Sequence, residues 1–288
     1  MNPALGRVPA TVIEVQLGRG LRLPGRVWPA DAPRALVAVV HGLGEHCGRY
    51  AALASDLVQA RFTVAALDLP GHGEAQGPRG DVPSWLLLRE QLVPATFTAT
   101  RGLPGQPEDL PIVLLGHSLG GVLALDFALA HPQRVAAVVA SAPALRSAMP
   151  PWWKLALANV ARAAAPSLGF PHGLDESGMS RDPEVVRLRA EDPLVHDRIS
   201  PRLYFDLAEA RQRVLREARR LQVPALLLHG AADRVVDPRC TAEFHAAAPP
   251  GRAKLVTYPD AYHEIFNDPV RAEVLRDLLG WLGEVLRS

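Results

Sequence analysis

Short, mostly apolar runs separated by helix-length segments constrain this chain more than any other feature. They are Ala35 to Val40, Thr63 to Leu67, Ile112 to Leu115, Val135 to Ala140, Ala225 to Leu228 and Lys254 to Tyr258. A strand reads apolar on both sides when helices cover both faces of its sheet, so these runs predict buried parallel strands. Between them, Tyr50 to Ala60, Ser84 to Thr100, Leu119 to Ala130, Pro238 to Ala247 and Pro269 to Leu286 carry apolar residues three and four apart and predict helices. Ser84 and Asp237 stand where N-caps are needed. Thr11 to Leu17 and Leu21 to Val27, parted by Gly18 to Gly20, predict an opening hairpin-like pair. Such alternation specifies an α/β fold: a doubly wound, mostly parallel sheet of eight strands flanked by helices.

The stretch from about Leu145 to Asp206 breaks this alternation. It contains Pro150, Pro151, Pro166, Pro171, Pro183, Pro193 and Pro201, shows no buried-strand pattern, and is too long for a loop. Trp152, Trp153, Leu155, Ala156, Val160 and Ala163 could share one apolar helix face. A helical cap at 145–206 is therefore expected, inserted into a core formed by 1–144 and 207–288.

Composition excludes several function classes. A net charge of +1 gives no electrostatic reason to expect a nucleic-acid partner, so a small molecule is the better expectation. Cys47 and Cys240 are far apart and form no Cys-x-x-Cys pair, which supports neither a disulfide framework nor structural zinc and fits a reducing compartment. The first fifteen residues lack the pattern of a secretory leader, and no apolar run is long enough to span a bilayer. A cytoplasmic protein is expected.

The chemistry centres on Gly116-His117-Ser118-Leu119-Gly120-Gly121, a Gly-x-Ser-x-Gly run between a predicted strand and a predicted helix. That context is a nucleophile elbow: a sharp turn whose glycines permit close backbone approach and leave the serine hydroxyl at the strand end. A serine hydroxyl attacks well only when a histidine accepts its proton, and the histidine needs an acceptor on its other nitrogen. Asp233 follows the strand at Ala225 to Leu228, and His263 follows the one at Lys254 to Tyr258. Both lie past strand C-terminal ends, where parallel sheets gather their active groups. Asp237 and Asp260 are competing acids, the first better placed as a helix cap and the second close to His263 in sequence. Among other histidines, His245 falls inside a helix and His229 precedes the acid. An oxyanion site would use the backbone N–H of Leu119 and of Leu43, the latter within His41-Gly42-Leu43-Gly44; a simple tight loop is the other reading of that turn.

These segments carry a resemblance. His41-Gly42-Leu43-Gly44-Glu45-His46-Cys47-Gly48-Arg49-Tyr50, the elbow, Ala231-Ala232-Asp233-Arg234 and Ala261-Tyr262-His263 resemble the monoacylglycerol lipase and lysophospholipase-like branch of the α/β-hydrolases. Asp68-Leu69-Pro70-Gly71-His72-Gly73, Ser180-Arg181-Asp182 and Asp192-Pro193-Leu194 agree, so the likeness covers most of 36–267. The resemblance implies a Ser–Asp–His hydrolase of carboxylic esters that needs no cofactor, with a lipophilic cap admitting an acyl chain. It also implies that Glu45, Arg49 and His117 line a polar pocket for a glycerol-like alcohol, and that the cap could touch a membrane surface transiently. Local structural roles for Glu45 and Arg49 remain open, as does a choice between substrate contact and cap packing for Trp152 and Trp153. Cys47 stands where a small serine is expected, and it fits a space-filling role better than a nucleophilic one.

Other readings are weaker. His41 to His46 has one residue too many for His-x-x-Glu-His, and His263-Glu264 lacks the second histidine of a zinc motif. Gly42-Leu43-Gly44 with Gly48 misses the dinucleotide spacing by one position. An amidase or aminopeptidase would share the triad but need an acidic pocket, for which Glu176, Glu184 and Glu191 are candidates. Lysophospholipids and short esters are alternative substrates, and a non-catalytic ligand-binding protein is the alternative from another class.

Overall fold

The structure is a computed structural model that describes residues 8–101, 103–107, 109–146 and 152–287. Eight strands form one sheet in the order β1-β2-β4-β3-β5-β6-β9-β10. Along the chain these are β1 (Thr11–Gln16), β2 (Arg22–Trp28), β3 (Ala35–Val40), β4 (Phe62–Leu67), β5 (Ile112–His117), β6 (Ala137–Ser141), β9 (Ala225–Gly230) and β10 (Ala253–Tyr258). β2 runs antiparallel to both β1 and β4, and every other pairing is parallel. All eight coincide with the runs read from the sequence. β5 extends two residues beyond its apolar run because Gly116 and His117 pair with Ala140 and Ser141 regardless of side-chain polarity.

Helices cover both faces. α4 (Leu119–Ala130) and α7 (Pro201–Glu217) pack on one, burying Val122, Leu125 and Phe127 against Leu203, Leu207 and Val214. α1 (Ala51–Gln59) and α9 (Arg271–Val285) cover the other with Leu53, Leu57, Leu278 and Leu282, while α8 (Arg239–Ala247) buries Phe244 on the α4 side. Asp126 interrupts the apolar α4. It is buried but satisfied, accepting from Trp85 Nε1 and from both Nε and Nη2 of Arg213, each at 2.8 Å.

The helix expected at Ser84 to Thr100 is interrupted. Ser84 caps it through Leu87 N–H, as its position implies. The chain then runs through α2 (Trp85–Leu87), a π-helical turn at Leu88–Leu92 and α3 (Val93–Phe97). Pro94 lacks an N–H and its ring crowds the carbonyl four residues back, which accounts for the widened turn before it.

Between β6 and β9 lie α5 (Trp152–Ala164), a two-residue ribbon of β7 (Phe170–Pro171) with β8 (Arg198–Ile199), α6 (Pro183–Glu191) and α7. The sequence-derived boundary at 206 falls inside α7, whose apolar side is continuous with the core. The apolar face expected on α5 points largely to solvent: Trp153, Ala156, Val160 and Ala163 are exposed and Leu155 is half-buried. Among the described residues, no helix is long and apolar enough to cross a membrane.

The sheet sets one tight contact. A Cβ on Gly120 would sit 2.1 Å from the carbonyl oxygen of Val40, backbone against backbone. Gly120→Ala is therefore expected to cost at least about 2 kcal/mol, since neither β3 nor α4 can yield without disturbing the core. Thermal unfolding checks this, and an unchanged midpoint would contradict the packing described.

Candidate active site

Ser118 occupies the single residue between β5 and α4, with φ 52° and ψ −114°. This left-handed conformation costs a non-glycine residue on the order of 1–3 kcal/mol and persists only where the surroundings enforce it. Ser118 N–H donates to the Ser141 carbonyl at 3.0 Å, and its own carbonyl accepts from Ala144 N–H at 3.0 Å. Those bonds anchor the turn to β6, leaving the side chain at the sheet's C-terminal edge.

The acid and the histidine meet at that edge. His263 Nδ1 lies 2.7 Å from Asp233 Oδ2, and both residues are buried. Asp233 Oδ1 accepts from the N–H groups of Val235 at 2.7 Å and Val236 at 2.9 Å. Burial alone would raise the Asp233 carboxyl, but the facing His263 and hydrogen bonds from His229 and His263 hold it well below the usual carboxylate range. Asp237 instead accepts from Arg239 N–H at the start of α8, the capping role anticipated. The His263 loop reaches the site because β9 ends in Gly230, where a Cβ would come within 2.2 Å of the Ala261 carbonyl oxygen.

Ser118 and His263 line one small cavity together with Gly42, Leu43, Glu45, His117, Leu174, Met179, Arg189 and Glu264. Its free space is about 10 Å³, room for a single water. Gly42 brings the turn after β3 against the serine: a Cβ there would lie 3.2 Å from Ser118 Cβ. Leu43 is thereby beside the hydroxyl. Leu119 opens α4, so no carbonyl within that helix is available to its N–H. His41 fixes the turn. Its Nε2 accepts from Leu69 N–H at 2.9 Å, so Nδ1 carries the hydrogen and donates to the Gly42 carbonyl at 2.8 Å.

Glu45, Arg49 and His117 belong to a buried charge chain. Glu45 accepts from Gly42 N–H at 2.6 Å, Tyr50 Oη at 2.9 Å and Arg49 Nη1 at 3.1 Å. Arg49 then forks onto both oxygens of Glu264 at 2.7 Å, and Arg189 of α6 reaches Glu264 at 3.5 Å and Glu176 at 2.7 Å. Burial would raise Glu45 and Glu264, yet the surrounding positive charges together, Arg49 foremost, outweigh it and lower both. Arg49 lies behind Glu45 rather than at the cavity wall beside Ser118. His117 packs its ring 4.7 Å from that of His263; burial, reinforced by the His263 charge, pushes it down to about 4.

The structure does not bring every candidate here. Trp153 is 47% exposed on α5 and away from the cavity wall, and the side chain of Trp152 lies outside the described residues. Sequence reasoning missed Glu264, Arg189 and His229. Glu264 adjoins His263 and could have been weighed as a partner for Arg49; Arg189 carried no local signal, since only the fold unites α6 with the β10 loop. Cys47 is buried, and burial pushes its thiol well up, consistent with a space-filling role.

Burial lowers His41, His72, His117, His172 and His196 from the usual 6.5, with His117 and His196 at about 4. The unfolded chain therefore takes up these protons first, so stability is full above pH 6.5 and declines as pH falls toward 4. Glu45, Glu264 and Asp233 add a further loss of the same sign below about 4.5. Unfolding midpoints measured from pH 8 to 4 should begin to drop near 6.5; a flat profile down to pH 5 would show that the imidazoles do not contribute.

Comparison with known proteins identifies the family. Residues 31–270 match the family model described as serine aminopeptidase, S33, of the Hydrolase_4 family. The chain is 32% identical over 268 residues to a monoacylglycerol lipase of Mycolicibacterium smegmatis, covering 91% of this chain and 93% of that protein. It is 33% identical to the monoglyceride lipase of Homo sapiens, covering 90% of this chain and 86% of that one. The crystal structure of Paleococcus ferrophilus monoacylglycerol lipase superposes with a TM-score of 0.82 at 36% identity, covering 91% of this chain and 99% of that one. The chain belongs to the α/β-hydrolases, in the Hydrolase_4 family and its monoacylglycerol lipase-like group.

Proposed function

We propose that this protein is a serine hydrolase of carboxylic esters, acting on monoacylglycerols or similar single-chain esters. The observation that carries this is the buried Asp233–His263 pair, 2.7 Å apart, whose histidine lines the same cavity as Ser118. Asp233 holds the Nδ1–H of His263, leaving Nε2 to accept the Ser118 proton as Oγ attacks the acyl carbonyl. The N–H groups of Leu43 and Leu119 stabilise the resulting oxyanion. His263 returns the proton to the departing alcohol, and water then releases the acid by the same steps. Glu45 and His117 receive the glycerol hydroxyls, while Arg49 keeps Glu45 ionised and fixed.

The similarity to monoacylglycerol lipases along nearly the whole chain supports this substrate class. An amine-binding site is disfavoured by charge pairing. Glu184 and Glu191 are exposed and bound to Arg187, Glu176 is bound to Arg189, and the cavity carboxylates Glu45 and Glu264 are matched by Arg49 and Arg189. Space for one water cannot hold an acyl chain, so part of the 145–206 cap shifts to open the site. The exposed apolar side chains of that segment, Trp153, Leu157, Val160, Leu168 and Phe170, suit transient contact with a lipid surface. Two buried free cysteines suit a reducing, cytoplasmic setting.

Ser118→Ala should lower kcat on a monoacylglycerol by at least about 10³-fold and abolish fluorophosphonate labelling. Turnover of short p-nitrophenyl esters without any monoacylglycerol hydrolysis would remove the substrate assignment and leave the mechanism standing. An intact protein never labelled at Ser118 would instead support a non-catalytic binding role. Leu157→Asp combined with Val160→Asp should reduce co-sedimentation with lipid vesicles while sparing hydrolysis of a short soluble ester; unchanged sedimentation would place the lipid contact elsewhere.

A further inference from the structure

His229 is the last residue but one of β9, directly before Gly230, and is completely buried. Three groups reach its ring. Nε2 lies 3.0 Å from Asp233 Oδ2 and 3.3 Å from the Val236 carbonyl oxygen, and Nδ1 lies 2.7 Å from Thr241 Oγ1 of α8. Neither a carboxylate nor a carbonyl oxygen can donate, so Nε2 carries the hydrogen. The Thr241 hydroxyl can donate to the Nδ1 lone pair, an arrangement in which a neutral ring is held at both ends. Asp233 Oδ2 thus accepts from two imidazoles, His229 and His263, while Oδ1 accepts from two backbone N–H groups.

We propose that His229 is a positioning residue for the ester hydrolysis, acting through Asp233; this rests on reading Ser118, Asp233 and His263 as the hydrolytic triad. The Val235 and Val236 amides fix one carboxylate oxygen, and the His229 N–H fixes the other, so the carboxylate cannot turn away from His263. Neutrality is part of the role. When His263 takes the serine proton, Asp233 must face one new positive charge, and a second imidazolium on the same oxygen would compete with it. A neutral donor steadies the carboxylate without cancelling its charge, and Thr241 supplies the hydrogen that lets Nδ1 remain unprotonated. No bond is made or broken at His229.

The test measures kcat, KM and unfolding midpoint for His229→Leu, His229→Gln, Thr241→Val and Asp233→Asn on one monoacylglycerol. His229→Leu should lose about 10- to 100-fold in kcat with KM within about twofold, the rate equivalent of one hydrogen bond to a charged acceptor. His229→Gln should recover most of that loss, because its amide N–H can occupy the place of Nε2–H. Thr241→Val, nearly the same shape, should lower kcat by about three- to tenfold, in the range of one neutral hydrogen bond, with KM within about twofold and the protein still folded at the assay temperature. Equal losses in the Leu and Gln variants, or wild-type kcat in folded His229→Leu, would reduce His229 to a space-filling ring. Where His229→Leu does not fold, Thr241→Val decides: a KM-neutral fall in kcat supports the proposal, and wild-type kcat overturns it. Full activity in Asp233→Asn would sink the triad reading itself, whereas an inactive Asp233→Asn beside a wild-type-like His229→Leu or Thr241→Val would sink this proposal alone.

Discussion

The chain has to turn from β5 into α4 within one residue, and everything at the site follows from that constraint. The turn is possible because Gly120 lets α4 approach the end of β3 within a distance no side chain tolerates. Ser118 is left in a left-handed conformation that it would not choose freely. Burial of Val122, Leu123, Leu125 and Phe127 along α4 supplies the stabilisation that holds this strain. Because the central strands are parallel, β9 and β10 end at the same edge, so their loops deliver Asp233 and His263 to the serine without a long excursion.

What was legible in the sequence is what depends on period and on local turn chemistry. Strands buried on both faces announce themselves as apolar runs, and the elbow announces itself because small residues must flank a serine at such a junction. Asp233 and His263 were legible because each follows a strand closely. The interruption at Leu88–Leu92 was not, since a proline inside a strongly apolar helix can be accommodated by widening one turn as well as by ending the helix. The exposure of α5 was illegible for a different reason. An apolar stripe at helical spacing says that a partner is wanted and leaves its identity open, and here the stripe faces outward.

Long-range polar pairing was the least visible part. Arg49, Glu264 and Arg189 come from the single helical turn at Cys47–Tyr50 after β3, the loop after β10 and α6, and no spacing rule relates them. Their burial makes the pairing obligatory, since a lone buried guanidinium or carboxylate would be strongly destabilising. The same burial makes the chain of charges informative about chemistry. A cavity wall whose carboxylates, Glu45 and Glu264, are paired by Arg189 in the wall and Arg49 behind it is polar with its charges matched, which suits hydroxyl groups better than an ammonium or a phosphate.

That chain also decides which part of the cap can move. Gly178 and Met179 accept the backbone N–H groups of His263 and Glu264, Ser180 Oγ donates to the Asn267 carbonyl, and Arg181 forks onto the buried Asp268. Arg189 adds its bond to Glu264 from the neighbouring helix. Swinging 176–189 away would therefore pull on His263, the base of the proposed mechanism, and an opening of that kind would dismantle the site it exposes. Leu174, which also lines the cavity, makes a local bond, its N–H donating to His172 Nδ1. The opening proposed for an acyl chain is therefore assigned to the side of α5 and the segment leading to Leu174, α5 being the helix that presents Trp153, Leu157 and Val160 outward. Entry of a lipophilic chain and exposure of a lipophilic face are then the same event seen from inside and outside the cap.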